Sequence, residues 1–185
     1  MIQDTLKSAQ EQMDRTIDAT REDFASVRTG RANPGLYSKV MVDYYGAMTP
    51  LQQLASFTTT DARTLLITPF DVSALRNIEK ALSESEVGAN PSNDGKVIRV
   101  VMPELTEERR KEYVKLVKNK AEEHKVSVRN ARRKAKEAID KAVKEGEVGE
   151  DEGTRGEKEL DAMTKKHTDT IEEMAKKKEA ELLEV

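Results

Sequence analysis

The stretch VRNARRKAKE, residues 128–137, carries five cationic side chains in ten positions: Arg129, Arg132, Arg133, Lys134 and Lys136. Three are arginines, whose planar guanidinium presents a fork of N–H donors that matches phosphate oxygens. The chemistry open to such a run is the binding of a polyanion, not the making of bonds. Nucleophilic and metal chemistry have little to draw on. Cys is absent, which removes disulfides, thiolate nucleophiles and cysteine-based zinc or iron-sulfur motifs, and fits a reducing cytosol. The two histidines, His124 and His167, are too few for a metal site, and both fall in helical apolar stripes where packing is the expected role. Glu150-Asp151-Glu152 lacks the spaced ligands of a calcium loop and reads as the first turn of a helix. No Gly-x-x-x-x-Gly-Lys-Ser/Thr phosphate loop occurs. No catalytic residue, metal site or cofactor is expected.

The basic run belongs to a larger sorting of charge. Residues 109–144 hold 14 Lys+Arg against 5 Asp+Glu, a local +9, and residues 145–185 hold 7 against 14, a local -7, although the whole chain is only -3. At about 100° per residue, Lys111, Lys115, Lys118, Lys125, Arg129, Arg132, Arg133 and Lys136 gather beside the apolar stripe of one helix. Glu112, Glu123 and Glu137 fall on the opposite flank, while Glu122 and Asp140 interrupt the basic one. Such a face can be merely solvated, with pairs inside the helix. A basic ridge without base-stacking aromatics, if it binds, favours the phosphate backbone and shape of folded RNA over sequence. Arg28 and Arg31 could extend that surface.

The elements that must carry this ridge are legible from periodicity. Ile2, Leu6, Ala9, Met13, Ile17, Thr20, Phe24 and Val27 mark one face of a first helix, which ends at the Gly- and Pro-containing linker 30–35. Thr106 caps a second helix, with Glu107 and Glu108 in its first turn. Its stripe runs through Tyr113, Val117, Ala121, His124, Val128, Ala131, Ala135, Ile139 and Ala142, a rod roughly 55–60 Å long at 1.5 Å per residue. Gly146 and Gly149 punctuate the chain before a third ladder through Leu160, Met163, His167, Ile171, Met174 and Leu182. Three single-striped helices are stable together as a bundle built from both chain ends.

Between the first two helices the pattern changes. Strands are expected at 39–45, 55–60, 64–68 and 97–102, and an amphipathic helix at 71–85 through Val72, Leu75, Ile78, Glu79 and Leu82. Residues 60–63 read as a turn, Thr49-Pro50-Leu51-Gln52 as a capping box, and 90–95 as a loop. Tyr44 and Tyr45, at a strand end, should point one inward and one outward. This middle segment is a small α/β domain, inserted through two neighbouring linkers that make a hinge. Apolar and charged residues are each 36% of the 185, aromatics 4%, and Trp is absent. Slender packed layers are therefore expected in place of one deep core. No N-terminal apolar segment occurs and no apolar run approaches the ~20 residues of a membrane span, so a soluble, cytoplasmic chain without membrane partners is expected.

VRTGRANP at 27–34, VDYYGAMTPLQQLA at 42–55, MPELTEERR at 102–110 and VRNARR at 128–133, with EAELLEV at the C-terminus, resemble the ribosome recycling factor family of bacteria and organelles. The resemblance implies an α+β fold shaped as an L. An elongated three-helix bundle from residues 1–30 and 105–185 would carry a small β/α/β domain, 31–104, on a two-strand hinge. It implies that the protein binds the post-termination ribosome. With elongation factor G and GTP it would promote dissociation of the subunits and release of messenger and transfer RNA. The implied RNA-binding residues, facing large-subunit ribosomal RNA, are Arg28, Arg31, Arg129, Arg132 and Arg133. The implied hinge is Gly30, Ala32, Asn33, Pro34, Pro103, Glu104 and Leu105. The family often has a second proline where Glu104 stands and an acid where Lys134 stands, which points here to a less stiff hinge and a more positive ridge. A monomer is expected. The alternatives are a coiled-coil adaptor, whose Leu160, Met163, Ile171 and Met174 would meet another chain, and a general RNA-binding protein.

Overall fold

The computed structural model describes residues 1–185 except Glu86, Gly88 and Val185. Val185, the last residue of the expected bundle, thus lies outside the described residues. The chain divides into two compact units: a helical one, Met1–Phe24 with Val114–Ala180, and a sheet-bearing one, Ala25–Tyr113 with the C-terminal residues from Glu181.

The helical unit is made by α1 (Ile2–Ala25), α3 (Glu107–Lys144) and α4 (Glu150–Leu183), of which residues 25, 107–113 and 181–183 belong to the other unit. The expected stripes are its core. Met13, Val117, Val128, Leu160 and Ile171 are all fully buried. Of the stripe that an adaptor would offer to another chain, Leu160 and Ile171 are fully buried and Met163 and Met174 half-buried. On α3 four of the seven buried residues are alanines, Ala121, Ala131, Ala135 and Ala142. On α4 two glycines take core positions: a Cβ on Gly153 would lie 2.6 Å from Val143 Cγ2, and one on Gly156 2.9 Å from Ile2 Cγ2. Small residues let helices approach closely, and this part of the α4 stripe, N-terminal to Leu160, has no large apolar residue to reveal it.

The helix ends follow local rules. Thr106 Oγ1 accepts the Arg109 amide at 3.1 Å, the expected cap of α3. At the other end the Gly146 amide donates to Val143 and the Glu147 amide to Ala142, with Gly146 at φ +73°, which is a Schellman termination.

The sheet-bearing unit holds a hairpin, β1 (Met41–Tyr44) with β2 (Ala47–Pro50), and an antiparallel sheet ordered β3-β4-β6-β5. Its strands are β3 (Ala55–Thr59), β4 (Thr64–Pro69), β5 (Pro91–Asn93) and β6 (Ile98–Val101). Helix α2 (Leu75–Glu84) buries Leu75, Ile78 and Leu82 in the same core as Leu65 and Ile67 of β4 and Ile98 and Val100 of β6. Alternation along β4 and β6 sets this face. Tyr37 is buried and stacked on Phe57, centroids 6.5 Å apart; burial pushes its phenol up to about 12.

Several local expectations are corrected. Thr49 forms no capping box: it pairs with Val42 in the hairpin, its hydroxyl donates to the Ala47 carbonyl at 3.0 Å, and the 3-10 turn Leu51–Gln53 starts at Pro50 without a side-chain cap. Residues 91–93 are a strand, not loop, and Pro91 is tolerated because β5 is an edge strand. Tyr45 is not in a strand: at φ +50°, followed by Gly46 at φ +83°, it makes the two-residue turn of the hairpin. Tyr44 is half-buried and Tyr45 exposed, as the pair was expected to divide. The phenols are held by the cap of the next helix, Tyr44 donating to Asp71 at 2.7 Å and Tyr45 bonding Ser73 at 3.0 Å. The helix expected at 71–85 begins as a 3-10 turn, Val72–Ala74, capped by Asp71.

Both histidines pack as expected and also bridge helices. His167 is buried, with Nδ1 2.7 Å from its own helix carbonyl at Met163 and Nε2 2.8 Å from Asp14 Oδ1 of α1. His124 Nε2 lies 2.7 Å from Asp23 Oδ2. Replacing His167 removes core volume and the tie to α1 at once. His167→Ala is expected to cost about 2 kcal/mol, in the range of a buried polar residue, read as a lower urea midpoint with an unchanged m value.

Candidate nucleic-acid interface

The basic flank of α3 is two rows. The row nearest α4 is tied to that helix by carboxylates. Lys125 pairs with Glu172, Arg132 Nε donates to Asp161 Oδ1 at 2.7 Å, and Lys136 Nζ lies 3.9 Å from Glu157 Oε1 and 2.8 Å from Asp140 Oδ2. The partners descend along α4 as they ascend α3, the register of an antiparallel pair. Lys125 is the most enclosed, its side chain 14% exposed, and it also reaches Glu122 at 3.3 Å. Donating to Glu172 raises the Lys125 ammonium above its ordinary value, and the same bond lowers the Glu172 carboxyl. Asp140 likewise raises Lys136.

The outer row is different. Arg129 and Arg133, one turn apart, are exposed and have no carboxylate partner among the described residues. Lys115 and Lys118 are exposed on the same flank, and Lys134 is exposed on another. Lys111 pairs only within its helix, with Glu107 at 3.4 Å. About 6 Å of axial rise separates residues four apart, so Arg129 and Arg133 offer two unneutralised forks along one line.

Of the arginines singled out from the sequence, the structure therefore brings Arg129, Arg132 and Arg133 together on α3, with Arg132 partly engaged. Arg28 and Arg31 lie in the sheet-bearing unit. Arg28 is half-buried and its charge acts on Tyr37, while Arg31 is exposed with Nη2 3.6 Å from Glu184 Oε2.

The expected linkers lie side by side within the sheet-bearing unit. Gly30, at φ +84°, abuts Leu105, a conformation only glycine adopts without strain. The Ala32 amide donates to the Ala62 carbonyl at 2.8 Å, and Asn33 Oδ1 accepts the Gly35 amide at 2.9 Å, with Pro34 opening the 3-10 turn Pro34–Tyr37. Pro103 and Glu104 are exposed, Glu104 3.4 Å from Arg63, and Leu105 is buried. Arg110 ties the start of α3 to the C-terminal residues by donating to the carbonyls of Leu182 at 3.0 Å and Glu184 at 2.6 Å.

The residues that the sequence did not flag are the carboxylates of α4. Their signal was present: Glu157, Asp161 and Glu172, spaced by 4 and 11, share one flank of the Leu160–Ile171 stripe. Among the described residues no group of three metal-ligating side chains is placed to hold an ion, and no helix is long and apolar enough to cross a membrane.

Comparison with known proteins agrees with the sequence resemblance. The family model described as "Ribosome recycling factor" matches residues 20–183. The ribosome-recycling factor of Micrococcus luteus is 88% identical over 185 residues, covering 100% of both chains, and that of Pseudarthrobacter chlorophenolicus is 70% identical with the same coverage. A solution structure of the ribosome recycling factor aligns with TM-score 0.79 at 37% identity, covering 100% of this chain and 98% of the other. A second solved chain aligns with TM-score 0.71 at 40% identity over all of both chains. It comes from models of the T. thermophilus ribosome recycling factor and E. coli elongation factor G bound to the E. coli post-termination complex.

The Lys125–Glu172 pair sets a pH window. A lowered carboxyl contributes stability above its ordinary value near 4.5 that is lost as pH falls through the folded value; a raised ammonium contributes stability below 10.5 that is lost as pH rises through its own. Glu172→Gln is therefore expected to lower stability between these limits and to converge on the parent at acid pH, as measured by urea unfolding across pH.

Proposed function

The chain belongs to the ribosome recycling factor family, and we propose that it recycles ribosomes by laying the outer basic row of α3 against large-subunit ribosomal RNA. It binds the post-termination ribosome and, with elongation factor G and GTP, promotes dissociation of the subunits and release of messenger and transfer RNA. The observation that carries the RNA contact is the pair Arg129 and Arg133, exposed, one turn apart and without a carboxylate partner among the described residues. Arg132 adds its outward N–H groups, and Arg28 and Arg31, in the sheet-bearing unit, are RNA contacts in the same reading.

The physical role is that of a bound body on which a partner does work. Guanidinium and ammonium groups displace counterions from phosphates, which holds the protein without reading bases. The chain acts as a cytoplasmic monomer and supplies no active site; the free energy of splitting comes from GTP hydrolysis on elongation factor G. Bundle residues 1–30 and 105–185 carry the RNA contact, and the domain 31–104 swings on the linkers Gly30, Ala32–Pro34 and Pro103–Leu105. The positive φ of Gly30 and the exposure of Pro103 and Glu104 support a hinge there.

Arg129→Ala with Arg133→Ala is expected to weaken ribosome binding and to flatten the dependence of log affinity on log salt by about 1 per residue, with the bundle folded by circular dichroism. Wild-type affinity and salt slope in that double variant would remove the assignment. Covalently cross-linking the 31–104 domain to the bundle is expected to leave ribosome binding intact and to stop subunit splitting. Full splitting activity in the cross-linked protein would refute the hinge.

A further inference from the structure

We propose that Asp161 of α4 is a positioning residue for RNA binding: it holds the Arg132 guanidinium by one edge so that its remaining N–H groups face the phosphates. The inference rests on the RNA-binding reading of the α3 ridge and deepens it. Arg132 gives only Nε to Asp161, at 2.7 Å. A guanidinium has five N–H donors in a rigid plane, so the four on its two Nη atoms remain, aimed by the carboxylate that grips the fifth.

The other cations of the same row cannot play this part. The ammonium of Lys125 is shared between Glu172 and Glu122, and that of Lys136 between Asp140 and Glu157. A lysine has one nitrogen, so a lysine held by two carboxylates presents mainly neutralised charge, whereas an arginine held at one edge still presents a directed fork. Arg129 and Arg133 also present forks, but no carboxylate among the described residues fixes them. Among the described cations tied to α4, Arg132 is the one held by a single carboxylate and still equipped to donate outward, its side chain 31% exposed against 52% for Asp161. Its rotamer freedom is lost on folding and not again on docking, the usual advantage of a preorganised contact.

Positioning and plain electrostatics predict opposite signs. A carboxylate beside a polyanion repels it, so if Asp161 acted only through its charge, removing that charge would tighten RNA binding. If it acts through Arg132, removal loosens binding although the surface becomes more positive.

The experiment measures binding of the full-length protein to purified large ribosomal subunits at several salt concentrations, for Asp161→Asn, Asp161→Glu, Arg132→Ala and the Asp161→Asn/Arg132→Ala double variant. Thermal midpoints are recorded beside each, and binding is measured well below all of them. Asp161→Asn is expected to weaken binding about fivefold, within the range of coupled charged neighbours, Asp161→Glu to recover part of it, and Asp161→Asn to add nothing once Arg132 is alanine. Arg132→Lys, which keeps the charge and loses the fork, should likewise abolish the effect of Asp161→Asn. Tighter or unchanged binding by Asp161→Asn, or an equal loss in the Arg132→Ala background, would overturn the proposal. The RNA-binding reading fails separately, by normal binding of the Arg129→Ala/Arg133→Ala variant.

Discussion

A helix of 38 residues with one narrow apolar stripe is stable only when neighbours cover that stripe along its length, and the helical unit is the solution to that constraint for α3. Its stripe is mostly alanine, so the gain per residue is small and must come from close approach. Gly153 and Gly156 on α4 serve the same end, since a methyl at either position would collide with a neighbouring side chain. Close approach has a second consequence. When small residues fill a helix seam, the side chains flanking it come within reach of one another, which is how Arg132 meets Asp161 and Lys125 meets Glu172. Packing at the seam therefore decides the electrostatics beside it.

The small net charge of the chain conceals this division. Opposite charges concentrated on adjoining helices neutralise each other where they face and remain unbalanced where they do not. Individual exposed pairs contribute little to stability, about 0–1 kcal/mol each, so the ladder matters less as glue than as a filter. It neutralises the seam-side lysines and leaves Arg129 and Arg133 unneutralised. Of the ladder's cations, Lys125 is enclosed enough for its pairing to weigh on stability, because its side chain is 14% exposed and its charge without a carboxylate would be left poorly solvated.

Long periodic segments were legible in the sequence because burial repeats every turn: Thr106 caps α3 and a glycine ends it, as read from residue types alone. The hairpin strand β2 and the edge strand β5 were not, since each is short, contains proline and fully buries no residue, so neither alternation nor β-branching marks it. Tyr45 misled for a related reason. An aromatic beside a strand reads as strand, yet its left-handed backbone, costing roughly 1 kcal/mol, is offset by a hydroxyl that reaches Ser73 across the fold. The arginines of α3 were found as a cluster, but the sequence could not rank them. Ranking requires knowing which flank faces α4, and that depends on how two helices far apart in sequence pack.

The choice of arginine at 132 follows from the same geometry. A ridge of lysines would carry equal charge, but each ammonium near the seam would be captured by an α4 carboxylate. Arginine avoids this because its charge is delocalised over a plane with donors on two edges, so one edge can face the seam and the other solvent. The acidic helix and the basic ridge are then compatible on one narrow bundle. The acids fix the inner cations, and the outer forks stay unneutralised. Loss of an α4 carboxylate and loss of an α3 arginine should thus act on one surface, although the two side chains carry opposite charge.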